Sequence, residues 1–280
     1  MREVTAAAVM AAAARLCVEA NLRLGEDVLA ALEEARKREE SPTGREILAQ
    51  LVENARIAWE DQVPVCQDTG YAVFFVELGQ EVQLVGGTLE EAINAGVRRG
   101  YTEGYLRKSI VGDPLERMNT GDNTPAVIHV RSVPGDRLRL RFMAKGAGSE
   151  NMSRLAMLKP SAGWAGVKEF VRQAVREAGS NPCPPLVLGV AVGGDFEQCA
   201  LAAKEALLRK VGEPQPEPRV AGLERELLEA VNDLGLGPGG LGGRVTALAV
   251  HLALLPTHIA ALPVGVAFAC HAYRHGEAIL

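Results

Sequence analysis

Ala126–Ala144 reads AVIHVRSVPGDRLRLRFMA, two strand-like runs on either side of Pro134-Gly135-Asp136. In the second run Leu138, Leu140 and Phe142 alternate with arginines, so one face is buried and the other is wet. Pro-Gly-Asp is turn chemistry, and the stretch is expected to form a β-hairpin. Upstream, YAVFFVEL (Tyr71–Leu78) and EVQLV (Glu81–Val85) read as a second hairpin through Gly79-Gln80. Downstream, LVLGVAVGG reads as a buried strand, and two further apolar segments end at Cys270.

Helical patterns surround these strands. The first is expected over Glu3–Ala20, and a second follows Gly25 and ends in EEARKREE, read as a solvated helix face. A third is expected to start at Thr43, where TGRE has capping-box form, and another at Thr88 in TLEEAINAGVRRGY. KGAGSENMS is a glycine-bearing loop leading towards helix, SAGWAGVKEFVRQAVREAG is amphipathic, and Asp195 caps DFEQCALAAKEALLRK. VGEPQPEPR is a Pro-rich connector, followed by a helix and the loop LGLGPGGLGGR. Hairpins mixed with helices imply an α+β (mixed α/β) fold, taken as one domain over 1–280 with a helical segment over 1–62.

With 280 residues, 48% of them hydrophobic and 23% charged, the chain has the make-up of a soluble globular protein. The net charge of −5 and the lack of a basic stripe argue against nucleic acid as a partner. No apolar run approaches the roughly 18 residues of a membrane span. The alanine-rich start continues into charged helical sequence and reads as a buried helix rather than a leader, so a cytoplasmic location is expected.

Five cysteines, Cys17, Cys66, Cys183, Cys199 and Cys270, are too scattered for a disulfide framework. Cys17 and Cys199 lie in apolar helical contexts and read as core. Cys66 sits on the turn VPVCQDTG beside Gln67 and Asp68, Cys183 among the prolines of SNPCPPL, and Cys270 where an apolar run meets HAYRH. Inert thiols, a catalytic thiol and soft-metal ligands all remain open for these three. Neither glycine-rich loop matches a phosphate-binding motif. Arg107 and Arg117 carry the fork that grips carboxylates, against the plainer reading of surface arginines. His258, after a proline break, reads equally as structural or catalytic, whereas His129 and His251 read as strand or core positions.

Six blocks, VPVCQDTG, LRKSIVGDPLERMNTGDNTPAVIH, KGAGSENMS, NPCPPLVLGVAVGG, GPGGLGGRVTALAV and THIAALPVGVAFACHAYRH, occur in this order. In them the chain resembles the class I, iron–sulfur-dependent fumarate hydratases from about Val63 onward, specifically their α subunit. The α subunit of L-tartrate dehydratase shares the same motifs. The resemblance implies an oxygen-labile [4Fe-4S] cluster held by Cys66, Cys183 and Cys270, with one iron open to substrate, so that 63–280 forms the cluster- and substrate-binding region. It implies that Gln67, Asp68, Arg107 and Gly148, with Gly146 beside it, contact a small dicarboxylate and that His258 lines the site. Asp68 and His258 are the expected catalytic groups. A separate β subunit is the expected partner, supplying a catalytic threonine and further cationic contacts within a larger oligomer. The expected activity is interconversion of (S)-malate and fumarate, with tartrate dehydration or a non-catalytic iron–sulfur or zinc scaffold as the other readings.

Overall fold

A computed structural model describes residues 1–280. The chain begins with β1 (Arg2–Thr5), α1 (Ala6–Leu22), α2 (Glu26–Arg38) and α3 (Pro42–Glu60). There follow β2 (Tyr71–Gly79), β3 (Val82–Val85), α4 (Leu89–Glu103), β4 (Val127–Val133), β5 (Leu138–Lys145) and the one-turn α5 (Ala147–Glu150). Then come β6 (Arg154–Leu158), α6 (Gly163–Ala178), β7 (Leu186–Gly194), α7 (Phe196–Ala206) and α8 (Pro218–Asn232). The last strands are β8 (Ala247–Thr257), β9 (Leu262–Ala269) and β10 (Arg274–Ile279). The fold is α+β, as expected.

The chain divides into two compact units. The first comprises Met1–Gly25, Arg56–Ala147 and Arg274–Leu280. Its main sheet has the order β10-β5-β2-β4, antiparallel at β10–β5 and β5–β2 and parallel at β2–β4. Phe74, Val76, Leu138, Leu140 and Phe142 pack with Val9, Ala13, Leu16, Ile93 and Val97 of α1 and α4. The two helices approach closely because Gly96 and Gly100 lack side chains: a Cβ at Gly100 would stand 2.7 Å from the Ala14 carbonyl oxygen.

Neither expected hairpin forms. β2 inserts between β4 and β5, and β3 pairs in parallel with β1. The physical reason lies in β2 itself. Ala72 to Val76 are all buried, which demands cover on both faces and therefore a central position. The end of β2 also fills the Pro-Gly-Asp loop, where the Gly79 amide donates to Arg137 O at 2.9 Å and the Gln80 amide to Val133 O at 2.9 Å.

The second unit comprises Glu26–Ala55 and Gly148–Tyr273. Its sheet has the order β6-β9-β7-β8, with β7–β8 parallel and β9 antiparallel to both β6 and β7. Leu186, Leu188 and Val190 pack on one face with Val171 and Val175 of α6 and Leu227 and Val231 of α8. On the other face Gly189 admits α7, since a Cβ there would stand 2.0 Å from Ala203 O.

Local signals fared better than pairings. Thr88 forms its capping box with Glu91, and the Asp195 side chain caps α7 by accepting from the Gln198 amide. α3, however, starts at Pro42, with the Ser41 hydroxyl accepting from the Gly44 amide at 3.2 Å. Proline suits the first helical position, so the start lies one residue before Thr43. KGAGSENMS makes only the turn α5 before entering strand β6, because Arg154–Leu158 pairs with β9. The charge run EEARKREE is not wholly solvated, since Glu39 is fully buried. No helix is long and apolar enough to cross a membrane.

Candidate functional site

In the first unit the turn from Cys66 to Gly70 is fastened at Asp68, Thr69 and Gly70. The Val65 amide donates to Asn21 O at 2.9 Å, at the end of α1. Arg274, only 2% exposed, donates from Nη1 to Asn21 Oδ1 at 3.0 Å and to the main-chain oxygen of Asp68 at 2.5 Å. The Tyr101 hydroxyl donates to Thr69 O at 2.7 Å and Gly70 O at 3.1 Å, and Asn123 Nδ2 donates to Gly70 O at 3.1 Å. Burial pushes the Tyr101 hydroxyl pKa far above its ordinary value, so it remains a donor.

These anchors aim Asp68. Its Oδ1 accepts from the Gly70 amide at 3.0 Å and its Oδ2 from the Ala147 amide at 2.8 Å. Two amides fix the carboxylate plane while leaving further lone pairs available. Gly70 adopts φ +74°, and a Cβ there would stand 2.6 Å from Lys145 O. Arg107 joins the same turn: its carbonyl accepts from Thr69 Oγ1 at 2.9 Å, and its Nη1 lies 3.5 Å from Gln67 Oε1. Gln67 and Arg107 are exposed and Asp68 is half-buried. Cys66, Gln67, Asp68 and Arg107 thus share one neighbourhood. Arg117, at φ +59°, lies exposed in the Asp113 turn.

In the second unit Cys183 tops the turn after α6, with its amide donating to Ser180 O at 3.0 Å. Its carbonyl accepts from the His271 amide at 3.3 Å and lies 3.1 Å from His271 Nδ1. Since His271 follows Cys270 directly, this link brings the two cysteine segments together. Gly148 belongs to the same surface, because a Cβ on it would stand 3.3 Å from Asn181 O. His258 is exposed in the connection between β8 and β9, with Nδ1 accepting from the Ala260 amide at 3.1 Å. That bond leaves Nε2 carrying the proton in the neutral ring.

The thiols fall into two groups. Burial pushes Cys17 far above the ordinary thiol pKa and Cys199 up to about 11, so both remain neutral core residues. Cys183 is exposed, and Cys66 and Cys270 are half-buried. Cys66 belongs to the first unit and the other two to the second. No group of three or more His, Cys, Asp or Glu side chains is placed to hold a metal ion. In donor type the three accessible thiols suit soft iron.

Sequence reasoning missed Arg274 and His271, whose partners lie far away in the chain. Their only sequence signal was the polar run HAYRH breaking an apolar strand.

The family model described as "Fumarate hydratase (Fumerase)" matches residues 10–279. The chain belongs to the fumarate hydratase family. A protein of Methanocaldococcus jannaschii named "Putative L(+)-tartrate dehydratase subunit alpha" is 44% identical over 263 residues, covering 91% of this chain and 92% of that one. Escherichia coli proteins named "L(+)-tartrate dehydratase subunit alpha" are similar at lower identity. The K12 protein is 31% identical over 262 residues, 92% of this chain and 86% of that one, and the UTI89 protein 32% over 258 residues, 91% and 84%.

Proposed function

We propose that the chain is the α subunit of a [4Fe-4S]-dependent hydro-lyase that interconverts (S)-malate and fumarate plus water. The family match over 10–279 carries the reading. Cys66, Cys183 and Cys270 would hold the cluster. A bound cluster with one iron free of protein ligand would supply a Lewis acid for the departing hydroxyl.

The chain's own groups have the following parts in this reading. Arg107, exposed beside Gln67, grips the distal carboxylate and stabilises the charge that builds there when C3 loses its proton. Asp68, oriented by the Gly70 and Ala147 amides, accepts or returns that proton. The Gly148 amide contacts substrate, and His258 presents its Nε2 proton to a substrate oxygen. A separate β subunit, in keeping with the "subunit alpha" names of the relatives, supplies the remaining groups.

Those same names favour a second reading, dehydration of L(+)-tartrate, which needs room for one more hydroxyl. Anaerobic reconstitution with the β subunit decides between them. Ultraviolet absorbance of fumarate follows the malate reaction, and tartrate is assayed beside it. Turnover of tartrate alone replaces the malate reading, and turnover of neither by a cluster-loaded complex leaves a non-catalytic scaffold. Asp68→Asn should lower kcat by about 100-fold or more, the usual scale for general acid–base loss. Near-parental turnover in that variant would remove Asp68 from proton transfer.

A further inference from the structure

Glu39 stands apart from every group used so far. It is the next-to-last residue of the run EEARKREE, directly after α2, yet it is fully buried. Its carboxylate has no cationic side chain as partner. Instead it accepts four main-chain amides. Oε1 takes those of Glu40 at 2.8 Å, Ser41 at 2.9 Å and Arg244 at 2.9 Å, and Oε2 that of Val245 at 2.8 Å. The amides of residues 40 and 41 are local, while those of 244 and 245 close the glycine-rich loop before β8. Gly44 and Gly243 make room for the carboxylate: a Cβ at Gly243 would stand 2.7 Å from Glu39 Oε1.

The loop held in this way reaches the Cys183 turn. The Gly239 amide donates to Pro184 O at 2.9 Å, and Gly240 lies so close to Ser180 that a Cβ on it would stand 2.6 Å from the Ser180 Cβ. Glu39, the glycine loop and the Cys183 turn therefore form one continuous set of contacts within the second unit. We infer that Glu39 is a positioning residue for Cys183, acting through the glycine-rich loop. Its part in cluster binding rests on the function proposed above, but its mechanical part does not.

The test compares Glu39→Gln with the parent chain. Glutamine keeps the volume but turns an NH2 donor towards amide donors. A control, Glu224→Gln, alters another buried carboxylate of the same unit. Glu224 is paired with Arg209 at 2.7 and 2.8 Å and with the Leu252 amide, away from the loop. Hydrogen exchange is measured first on the cluster-free chains. Glu39→Gln should expose the Gly239 and Cys183 amides to exchange about 10-fold faster or more, while Glu224→Gln leaves those two amides near parental rates. Equal protection in Glu39→Gln and parent, or equal loss in both variants, overturns the inference.

Anaerobic iron loading is measured second, by iron per chain and cluster absorbance. Retention should fall about 10-fold in Glu39→Gln, the scale on which outer supports of metal sites act. Parental iron content in that variant overturns the positioning role in cluster binding. A parent chain that takes up no iron sinks the cluster reading itself, while the exchange result still decides the coupling.

Discussion

Around Cys66 the main chain is held by side chains that reach in from elsewhere, Arg274, Tyr101, Asn21 and Asn123, each presenting a polar atom to the turn or to one another. Around Cys183 it is held by backbone against backbone, through Gly239 on Pro184, Gly240 on Ser180 and the His271 amide on Cys183. The first arrangement tolerates extra atoms and fails when a polar group is removed. The second makes its own contacts main chain to main chain, with the Glu39 carboxylate one step behind, and fails directly when atoms are added. The same chemical task, fixing a thiol-bearing turn, thus creates opposite mutational sensitivities in the two units.

The sharpest way to break this contrast is Gly240→Ala. The added Cβ meets Ser180 and must adopt φ +74°, so overpacking and left-handed strain combine. The expected cost is about 2–4 kcal/mol in a denaturant melt. A neutral result would mean that the loop does not support the Cys183 turn. In the first unit Arg274→Met keeps bulk but strips the donors from Asn21 and from Asp68 O. A loss of about 2–3 kcal/mol is expected, with greater exchange at the Val65 amide. Tyr101→Phe should cost about 1 kcal/mol, since the hydroxyl alone is lost from beneath Thr69 and Gly70.

Acid sharpens the comparison further. Burial opposes the charge of Glu39, but its four amides outweigh that and hold its carboxyl below the ordinary value. Its folded pKa is therefore lower than its unfolded one, and its stabilisation is complete above the unfolded value of about 4.3. That contribution disappears as pH falls through the lower folded value. The stability gap between parent and Glu39→Gln should accordingly narrow below about pH 4. The mildest test is alkylation of the cluster-free chain. Iodoacetamide should label Cys66, Cys183 and Cys270 well before Cys17 and Cys199, as read by mass spectrometry.

What the sequence disclosed follows the range of the forces involved. Thr88 and Asp195 announced their caps because a cap is satisfied within three residues. Leu138, Leu140 and Phe142 announced a one-sided strand because alternation is local. The hairpins failed because pairing depends on which strand competes for the same edge, and the unbroken apolar run of β2 wins the centre. The Cys66–Asp68 turn was legible as a polar cluster out of place beside apolar strand, whereas Arg107 by itself read equally as a surface arginine and was singled out only by the resemblance. Glu39 and Arg274 were not, since a glutamate in a charge run and an arginine among histidines look solvated until their distant partners are known.

The strand β10 carries a consequence for synthesis of the protein. It completes the sheet edge beside β5, and its first residue, Arg274, braces the Asp68 carbonyl. A nascent polypeptide emerging from the ribosome must therefore keep α1 and β2 waiting while Gly148–Tyr273 is translated. Only when β10 emerges does the Asp68 carbonyl gain its Arg274 donor, so premature termination just upstream of Arg274 would leave the turn with its Tyr101 and Asn123 bonds but without that donor.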